Sequence, residues 1–501
     1  MLKRSTLALS SPHSFGTGTF VAPGLVLTCA HVVSDSREPP STRLTAQWRR
    51  APSELEPLDL EVVPEWYRPG HDGGPDLALL RLSSSLHHPY ASLIANVQPG
   101  DDLYAYGYPE GPYRAGDSLG FEYQGTSERM DGQTLLRVTE DRATEGFSGG
   151  PALNWRTGGV CGVLRLSLYT PGVPPVARLI PAATILSQFP FLADTPGSPG
   201  RNRAWLDQLT DEQVYEGRLR YPGPRLRSYL RMVQQTVTRN PYRLSLQNAP
   251  PLDEVYLRQQ ATPEPMELVN TDEILASNRH ALVIGGPGMG KSSLLRRLAY
   301  EAADQWISEG NAEYVPVVVA TEALSVRGSL SVGIARAVRD GMGVSLKDRE
   351  LEDLFDREPV PGVPWLIMVD GVDEVLTGIT RRSALDAVSA SWEEAKYRFL
   401  LTTRPLPDAE LEPLHRAKVP TFHLQPFSEE QVSLFASSWF ASLGLRDLDN
   451  AVRRFVSRLE RTRLKEMART PLIAALLCVV FAGDPSTCCQ TTEPRRMRKA
   501  T

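Results

Sequence analysis

The hexapeptide GFSGGP at residues 146–151 decides how the first half of the sequence is interpreted. A serine acts as a nucleophile when a tight turn exposes its hydroxyl and leaves nearby backbone N–H groups free to face a developing oxyanion. Gly146, Gly149 and Gly150 give the backbone the freedom that such a turn needs. An ordinary glycine-rich turn has the same composition, so the hexapeptide alone leaves both interpretations open.

Two segments further upstream favour the catalytic interpretation. LTCAHVV at residues 27–33 puts His31 at the end of an apolar strand, and DLALLRL at residues 76–82 puts Asp76 at the head of another. The chain order His, Asp, Ser is one of those in which catalytic triads occur. Three local patterns in that order indicate a nucleophilic serine with its base and orienting carboxylate.

The chain up to about residue 193 reads as many short strands separated by turn signals. Residues 15–28 are typical, since two apolar runs flank the turn Ala-Pro-Gly at 22–24. Few long helical patterns intervene. The pattern therefore favours an all-β barrel or sandwich.

Over nearly all of residues 5–190 the sequence resembles the trypsin-like serine peptidases, with His31, Asp76 and Ser148 at their triad positions. The resemblance implies a double β-barrel and endopeptidase activity on a protein substrate. Ser148 would attack the scissile carbonyl, His31 would transfer the proton, and Asp76 would hold the imidazole. Backbone N–H groups of Gly146 and Ser148 would form the oxyanion hole.

Two positions depart from secreted trypsins, and two others bear on substrate preference. Phe147 stands where those enzymes have an aspartate that pairs with a newly cut N-terminus, and Val32 replaces a disulfide cysteine. The resemblance is therefore to intracellular and bacterial members. Arg142 and Arg165 align roughly with the pocket for the side chain before the cut, where arginine favours an acidic residue. Both could equally be surface arginines.

A second constellation begins with GGPGMGKS at residues 285–292, between an apolar strand and a helical stretch. This is the context of a P-loop, whose N–H groups cradle phosphates. Lys291 would reach the β- and γ-phosphates, and Ser292 would ligate Mg²⁺. The predicted nucleotide-binding residues in this stretch are Gly285, Gly286, Pro287, Gly288, Met289, Gly290, Lys291, Ser292 and Ser293.

The segment WLIMVDGVDE at residues 365–374 supplies carboxylates to the same predicted site. Asp370 ends an apolar strand and would complete the Mg²⁺ site with Ser292. Asp373 and Glu374 could orient or deprotonate the attacking water. From about residue 281, strands alternate with helices, which predicts an α/β domain with a parallel sheet covered on both faces.

These motifs, over roughly residues 275–483, resemble the NACHT family of signal-transducing P-loop ATPases. The resemblance implies that Arg404, in Thr-Arg-Pro at 403–405, senses the γ-phosphate and that Pro471 lies near the adenine. It implies a closed ADP form, exchange for ATP in response to an unknown trigger ligand, self-assembly on activation, and slow Mg²⁺-dependent hydrolysis.

The predicted organisation is multidomain, with an all-β domain before an α/β domain. We expect a peptidase domain at 1–193, a linker with an amphipathic helix at 194–270, the P-loop domain at 271–426, its helical region at 427–485 and a disordered tail at 486–501. NACHT proteins usually continue into a winged helix and a sensor. The tail departs from that pattern, so we expect a truncated or frame-shifted form.

The composition restricts the partners, metal sites and cellular location that the sequence predicts. The 501 residues are 41% hydrophobic and 23% charged with a net charge of -5, which indicates no nucleic-acid or membrane partner. Five scattered cysteines give neither a disulfide framework nor a zinc signature. No signal peptide is evident at the N-terminus, so we expect a cytoplasmic protein.

The sequence thus predicts a cytoplasmic serine endopeptidase gated by ATP and ADP, acting in bacterial defence or stress signalling. The alternative is an ATP-dependent signalling scaffold whose protease-like domain is a non-catalytic binding module. The intact triad weighs against that alternative.

Overall fold

The computed structural model describes residues 1–11, 14–34, 44–51, 54–71, 73–109, 116–128, 132–139, 144–166, 177–193, 202–237, 250–263, 268–271, 273–325, 329–342, 348–445, 447–462 and 464–483. The chain divides into two compact units, Met1–Leu226 and Arg227–Thr501. Among the described residues, no helix has the length and apolar character needed to cross a bilayer.

A closed antiparallel barrel of six strands begins the first unit. In chain order its strands are β1 (Thr6–Ser10), β2 (Phe15–Ala22), β3 (Leu25–Thr28), β4 (Leu44–Ala51), β5 (Glu54–Arg68) and β6 (Leu77–Leu82), and α1 (Ala30–Val33) follows β3. Alternate residues of β4 are buried, as expected when one face of a strand packs on a core. Leu44, Ala46 and Trp48 therefore fill the barrel together with residues such as Leu27 and Leu79.

A second closed barrel follows, with its strands joined in the same way. They are β7 (Asp102–Gly107), β8 (Asp117–Glu128), β9 (Thr134–Val138), β10 (Pro151–Asn154), β11 (Val160–Leu166) and β12 (Ala177–Pro181), and α2 (Ala182–Gln188) follows. Its core includes Leu103, Leu136, Leu164 and Leu179. Two barrels of this kind match the predicted double-barrel fold.

The outer face of the second barrel packs on the first. Leu135, Val163 and Ile180 alternate with residues of the second core and join the apolar cluster of the first barrel. Ile185 of α2 belongs to the same cluster. The serine loop, between β9 and β10, thus lies in a domain whose halves share apolar surface.

The first unit extends past the boundary predicted at residue 193. Two short helices follow, α3 (Arg203–Leu206) and α4 (Asp211–Glu216). Trp205 of α3 and Leu209, between the two helices, join a cluster with Tyr106 and Val160 of the second barrel. Part of the predicted linker is therefore structured, and the unit ends at Leu226. The Pro/Gly/Ser stretch at 194–201 lies outside the described residues.

A seven-stranded sheet forms the base of the second unit. In chain order its strands are β13 (Gln260–Pro263), β14 (Val269–Asn270), β15 (Ala281–Ile284), β16 (Val315–Ala320), β17 (Trp365–Asp370), β18 (Tyr397–Thr403) and β19 (Thr421–Leu424). The spatial order is β14-β13-β19-β15-β18-β17-β16. The five strands from β19 to β16 are parallel, whereas β13 and β14 pair antiparallel at one edge, earlier than the predicted start at residue 271.

Helices connect and cover these strands. They are α5 (Pro224–Val237), α6 (Leu252–Val255), α7 (Glu273–Ser277), α8 (Lys291–Glu309), α9 (Leu330–Met342), α10 (Asp348–Phe355), α11 (Gly378–Ala390) and α12 (Glu412–Arg416). The predicted amphipathic helix is α5, and its apolar side chains are buried. Tyr229 of α5 donates to the Pro316 carbonyl at 2.9 Å, so this helix packs on the unit and is not a free connector.

The chain then becomes helical, as predicted. The helices are α13 (Glu429–Ser442), α14 (Leu448–Glu460), α15 (Leu464–Met467) and α16 (Pro471–Ala482). Ser428 and Gln431 form a capping box that starts α13. Phe440, Phe455 and Phe481 form an aromatic core in which the ring centroids lie 5.3 to 5.6 Å apart. The predicted disordered tail lies outside the described residues.

Candidate functional site

The structure brings His31 and Asp76 together at the ends of two paired strands. His31 lies in α1, directly after β3, and Asp76 immediately precedes β6, which pairs with β3. The Asp76 Oδ2 atom lies 2.8 Å from His31 Nδ1, and Oδ1 accepts from the His31 backbone N–H at 3.1 Å. The carboxylate thus fixes the ring and directs Nε2 away from itself.

Asp76 is held in a conformation that few residues adopt. Its φ is +59°, in the left-handed region, and the residue is only 2% exposed. The Arg165 Nε atom donates to the same Oδ2 oxygen at 2.7 Å, from β11 of the second barrel. Burial alone raises the pKa of Asp76, but the hydrogen bond and charge of His31, with those of Arg165, bring it below its ordinary value.

The loop that carries Ser148 is fastened to the first barrel. The Thr17 N–H donates to the Ser148 carbonyl at 2.9 Å, and its hydroxyl donates to the Gly146 carbonyl at 2.7 Å. The Thr19 hydroxyl donates to the Gly149 carbonyl at 3.1 Å. Two threonines of β2 therefore set the shape of a loop that belongs to the second barrel.

Glycine is required at two positions of this loop. Gly146 has a φ of +94° and Gly149 a φ of +86°. A Cβ on Gly149 would lie 2.1 Å from the Thr17 carbonyl oxygen, and one on Gly146 would lie 2.2 Å from that of Tyr108. The hexapeptide is thus a constrained turn, and its glycines have a steric cause.

Two backbone donors face out of the loop. Within the described part of the chain, no group accepts from the N–H of Gly146 or of Ser148. These are the predicted oxyanion-hole donors. The Ser148 hydroxyl accepts from the Leu166 N–H at 3.4 Å, and no hydrogen bond among the described residues joins it to His31.

Residues 16–163 match the family described as "trypsin-like peptidase domain". The N-terminal region therefore carries a trypsin-like peptidase domain. The MamO protease domain from Magnetospirillum magneticum, in its apo form, is 21% identical, covers 38% of this chain and 97% of its own, and has a TM-score of 0.30. The serine endoprotease from Yersinia pestis is 19% identical, covers 38% and 63%, and has a TM-score of 0.30. Comparison with curated proteins gives no match.

The sequence analysis named three other residues of the peptidase site, and the structure describes two of them. Phe147 is buried in the core of the second barrel, so an apolar side chain packs at this position. Arg165 pairs with Asp76 and is not a surface arginine. Arg142 lies outside the described residues.

Cys29 lies beside the triad as a packing residue. Its Sγ and the ligand atoms of His31 and Asp76 lie within 4.8 Å of one another, which is a possible metal-binding spacing. The thiol, however, donates to the Leu164 carbonyl at 3.2 Å, and burial raises its pKa well above the ordinary value. A protonated, fully buried thiol is a poor metal ligand.

The glycine-rich loop of the second unit joins β15 to α8, at the carboxyl end of a central parallel strand. Gly288 and Gly290 have φ values of +72° and +90°. No group among the described residues accepts from the backbone N–H of Gly288, Gly290 or Lys291. The Lys291 ammonium donates to the carbonyls of Gly285 and Gly286 at 2.8 and 3.3 Å.

The predicted carboxylates gather around Lys291. Burial lowers the pKa of its ammonium; Asp373, Asp370 and Glu374 act in the opposite direction. Asp370 Oδ1 accepts from the Thr402 hydroxyl of the neighbouring strand at 2.9 Å. The carboxylates therefore stand at one edge of the sheet, as their positions after parallel strands predict.

Arg404 reaches the same edge and is paired there. Its Nε lies 3.0 Å from Asp373 Oδ2, and its backbone N–H donates to Asp373 Oδ1 at 2.8 Å. The side chain is 49% exposed, whereas that of Asp373 is 9% exposed. An arginine in this setting can exchange its carboxylate partner for an anion that enters the site.

Pro471 lies against the glycine-rich loop. The Leu472 N–H, at the start of α16, donates to the Gly288 carbonyl at 3.1 Å. Pro471 lines a largely apolar pocket together with Gly290, Ser293 and aromatic residues including Tyr256. The proline therefore lies beside the glycine-rich loop, and its predicted position near an adenine stays a prediction.

Sequence reasoning missed most of the contacts that hold these sites in shape. It did not single out Thr17 or Thr402, and it named Arg165 only as a pocket or surface residue, because all three lie on strands whose pairing the sequence did not specify. Gln259, which donates from Nε2 to the Met289 carbonyl at 2.9 Å, lies in the segment predicted to be linker. Each is distant in sequence from its partner, so local motifs carry no signal for it.

Proposed function

We propose that this protein is a serine endopeptidase whose activity is governed by nucleotide bound in its second unit. The peptidase part is supported above all by the 2.8 Å contact between His31 and Asp76, next to a serine loop in which two N–H donors have no acceptor among the described residues. The nucleotide part is supported by the glycine-rich loop and the groups around Lys291.

Peptide hydrolysis would use the chain's own groups in a fixed order. The Ser148 hydroxyl leaves the Leu166 N–H, gives its proton to His31 Nε2 and attacks the scissile carbonyl. The carbonyl oxygen becomes an oxyanion that accepts from the N–H groups of Gly146 and Ser148. The His31 imidazolium, stabilised by Asp76, then gives the proton to the leaving amine, which leaves an ester on Ser148. Water, deprotonated by His31, attacks that ester, and His31 returns the proton to the Ser148 oxygen as the acid product leaves.

The position of the Ser148 hydroxyl is compatible with a resting site. Catalytic hydrogen bonds are often long in enzymes without substrate and shorten in the complex. The proposed mechanism requires the hydroxyl to turn from the Leu166 N–H towards His31. A fluorophosphonate probe should therefore label Ser148 in the native chain and leave Ser148→Ala unlabelled.

The residues of the second unit fit a nucleoside polyphosphate. Backbone N–H groups of Gly288, Gly290 and Lys291 lack acceptors among the described residues, and they adjoin the N-terminus of α8, where anions are favoured. The Lys291 ammonium bonds only loop carbonyls that a phosphate oxygen can replace. We place the purine, of ATP or ADP, in the apolar pocket lined by Pro471.

A divalent cation fits the same edge of the sheet. Ser292 and Asp370 would hold Mg²⁺, which supplies charge neutralisation of phosphate oxygens when bound. Asp373 and Glu374 would orient or deprotonate water. Arg404 would leave Asp373 to meet the terminal phosphate, which gives the site a way to distinguish ATP from ADP.

The gating proposal has a direct test on the full chain. Labelling of Ser148 is measured with ADP, with a non-hydrolysable ATP analogue and without nucleotide, and Lys291→Ala serves as the control. We expect a labelling rate that depends on nucleotide in the native chain and not in Lys291→Ala. Labelling that is indifferent to nucleotide would show that the two activities are independent.

The scaffold alternative predicts no labelling of Ser148 under any of these conditions. Self-assembly, an unidentified trigger ligand and a role in bacterial defence stay predictions that rest on the resemblance. A cytoplasmic location stays a prediction that rests on the N-terminal sequence and the cysteines. Size-exclusion chromatography with each nucleotide tests self-assembly, because the ATP analogue should then produce a larger species.

A further inference from the structure

Three arginines form a row across the outer face of the second barrel. Arg165 of β11 is directly opposite Arg178 of β12, and Arg178 is directly opposite Arg137 of β9. Directly opposite residues of antiparallel strands point to the same face of a sheet. We call Arg165, Arg178 and Arg137 the arginine row.

Neighbouring residues fix the direction of the row. Leu164, Leu179 and Leu136, each next to one of the arginines, are buried in the core of the second barrel. Side chains alternate between faces along a strand, so the arginines point out of that barrel. The row therefore continues the outer face whose apolar part packs on the first barrel.

One end of the row touches the triad. The Arg165 Nε atom donates to Asp76 Oδ2 at 2.7 Å, and its side chain is 18% exposed. Arg178 is half-buried and Arg137 is exposed. Positive charge thus runs from the triad carboxylate towards solvent, and only Arg165 has its charge compensated by Asp76.

The other two arginines lack carboxylate partners in the described part of the chain. Arg178 donates from Nη1 to the Ala177 carbonyl at 3.0 Å, and no acidic side chain there pairs with it or with Arg137. Burial lowers the pKa of Arg178, and the charge of Arg137 lowers it further. Like charges directly opposite in a sheet are destabilising, so a bound anion would relieve repulsion as well as gain contacts.

We propose that the arginine row binds acidic residues of the peptide substrate beside the scissile bond. This inference rests on the proposed peptidase function, and it names the substrate class of that site. Adjacent strands are about 4.8 Å apart, and acidic residues at alternate positions of an extended peptide are about 6.7 Å apart. Two long arginine side chains can therefore engage both carboxylates at once.

Peptide is favoured over nucleic acid because the row starts at a peptidase triad, and only two of its charges lack a carboxylate partner among the described residues. Arg165 acts through Asp76, so it is a positioning residue and is left intact in the test. Arg178 and Arg137 carry the proposed recognition.

The test measures binding without requiring catalysis. A fluorescent decapeptide with glutamate at alternate positions, and its glutamine counterpart, are titrated into the full-length Ser148→Ala chain by fluorescence anisotropy. We expect roughly tenfold tighter binding of the glutamate peptide, lost in moderate salt. The pair Arg178→Gln and Arg137→Gln should remove the difference, and Arg50→Gln, an exposed arginine of β4, should keep it.

A charge-reversal variant tests whether lost binding in the double variant comes from lost folding. Arg178→Glu with Arg137→Glu should bind a lysine peptide more tightly than the glutamate one. Equal affinity for glutamate and glutamine peptides, or a preference that survives the double substitution, overturns the proposal. Tighter binding of a single-stranded oligonucleotide than of the glutamate peptide overturns it as well, in favour of phosphate recognition.

This outcome is separable from that of the proposed function. Failure of the fluorophosphonate probe to label Ser148, together with normal peptide discrimination, would reject the peptidase and keep the row as a binding surface. Labelling of Ser148 without discrimination would keep the peptidase and reject the row.

Discussion

A side chain at residue 149 has no room in the loop that carries Ser148. We expect Gly149→Ala to abolish probe labelling and to lower the free energy of unfolding by about 2 kcal/mol or more, because alanine disfavours the positive φ and its Cβ would press on the Thr17 carbonyl. Labelling and thermal denaturation measure the two effects.

Gly120 provides the matched control, since a Cβ there would meet nothing within 4 Å. Gly120→Ala should change stability by less than about 0.5 kcal/mol and keep full labelling. Normal labelling of Gly149→Ala would show that the loop tolerates a different shape.

Residues differ in how far the sequence could specify them. His31, Asp76 and Ser148 could be predicted because each has a local pattern that its chemistry requires. The pairing of Arg165 with Asp76 could not, because it depends on which strand of the second barrel reaches the first. For the same reason, neither the pocket nor the surface interpretation of Arg165 anticipated its position.

At the scale of elements, Arg156 fastens α4 to the second barrel. Its Nε lies 2.6 Å from Asp101 Oδ1 and its Nη1 lies 2.7 Å from Glu216 Oε2. Arg156→Ala leaves the buried Asp101 carboxylate without its cation, so we expect a loss of about 2 kcal/mol in the unfolding free energy. Urea denaturation measures it.

An exposed ion pair between α5 and α4 is the control for that prediction. Arg225 lies 3.6 Å from Asp211, with 55% of its side chain exposed. Arg225→Ala should cost less than about 0.5 kcal/mol. Equal losses in the two variants would mean that Arg156 contributes no more than an exposed ion pair.

His280, just before β15, makes the second unit sensitive to acid. Burial lowers its pKa from 6.5 to about 4, because the ring is stacked 4.0 Å from Trp392 and Nδ1 accepts from the Phe399 N–H at 3.1 Å. The folded state binds fewer protons than the unfolded state between these values. The stabilisation from neutral His280 is therefore present above pH 6.5 and is lost as the pH falls towards 4.

Thermal denaturation at several pH values checks this expectation. The loss should approach about 1.4 kcal/mol per pH unit in the middle of that window. His280→Gln should flatten the dependence there. An unchanged pH dependence in this variant would assign the acid sensitivity to other groups.

Strands and helices of the second unit were partly predictable. β15, β17 and β18 are apolar runs that precede the motifs, and the hydrophobic pattern reveals them. The edge strands β13 and β14 are short and lack such runs. Their existence depends on pairing with β19, which the sequence does not display.

At the scale of the whole molecule, nucleotide gating requires that the two units respond together. We expect ADP with Mg²⁺ to slow hydrogen exchange in peptides from residues 285–309, because a ligand at 100 times its Kd adds about 2.7 kcal/mol to the folded state. Gating adds a second expectation, a change in exchange around residues 144–166. Mass spectrometry of the full chain measures both.

Lys291→Ala should remove both responses, because each depends on nucleotide binding. Protection confined to the second unit would separate nucleotide binding from proteolysis. A change near Ser148 that persists in Lys291→Ala would exclude the P-loop as its origin.

Unit boundaries were the least predictable property at this scale. The sequence puts a boundary at residue 193 because a Pro/Gly/Ser stretch begins just after it, but the structure continues the first unit to Leu226. Trp205 and Leu209 pack on the second barrel, and these contacts extend the first unit past residue 193. Contacts of single apolar residues in short helices leave little trace in a periodic pattern.

The threonines of β2 have a consequence for engineering. Thr17 and Thr19 reside in one barrel, and the carbonyls that they hold reside in a loop of the other. Cutting the chain between Leu82 and Asp102 would put the nucleophile in one fragment and its base in the other. The two barrels of the peptidase domain are thus suited to expression as separate fragments that complement each other. Reassembly of two tagged fragments could be read out as the return of a reactive serine.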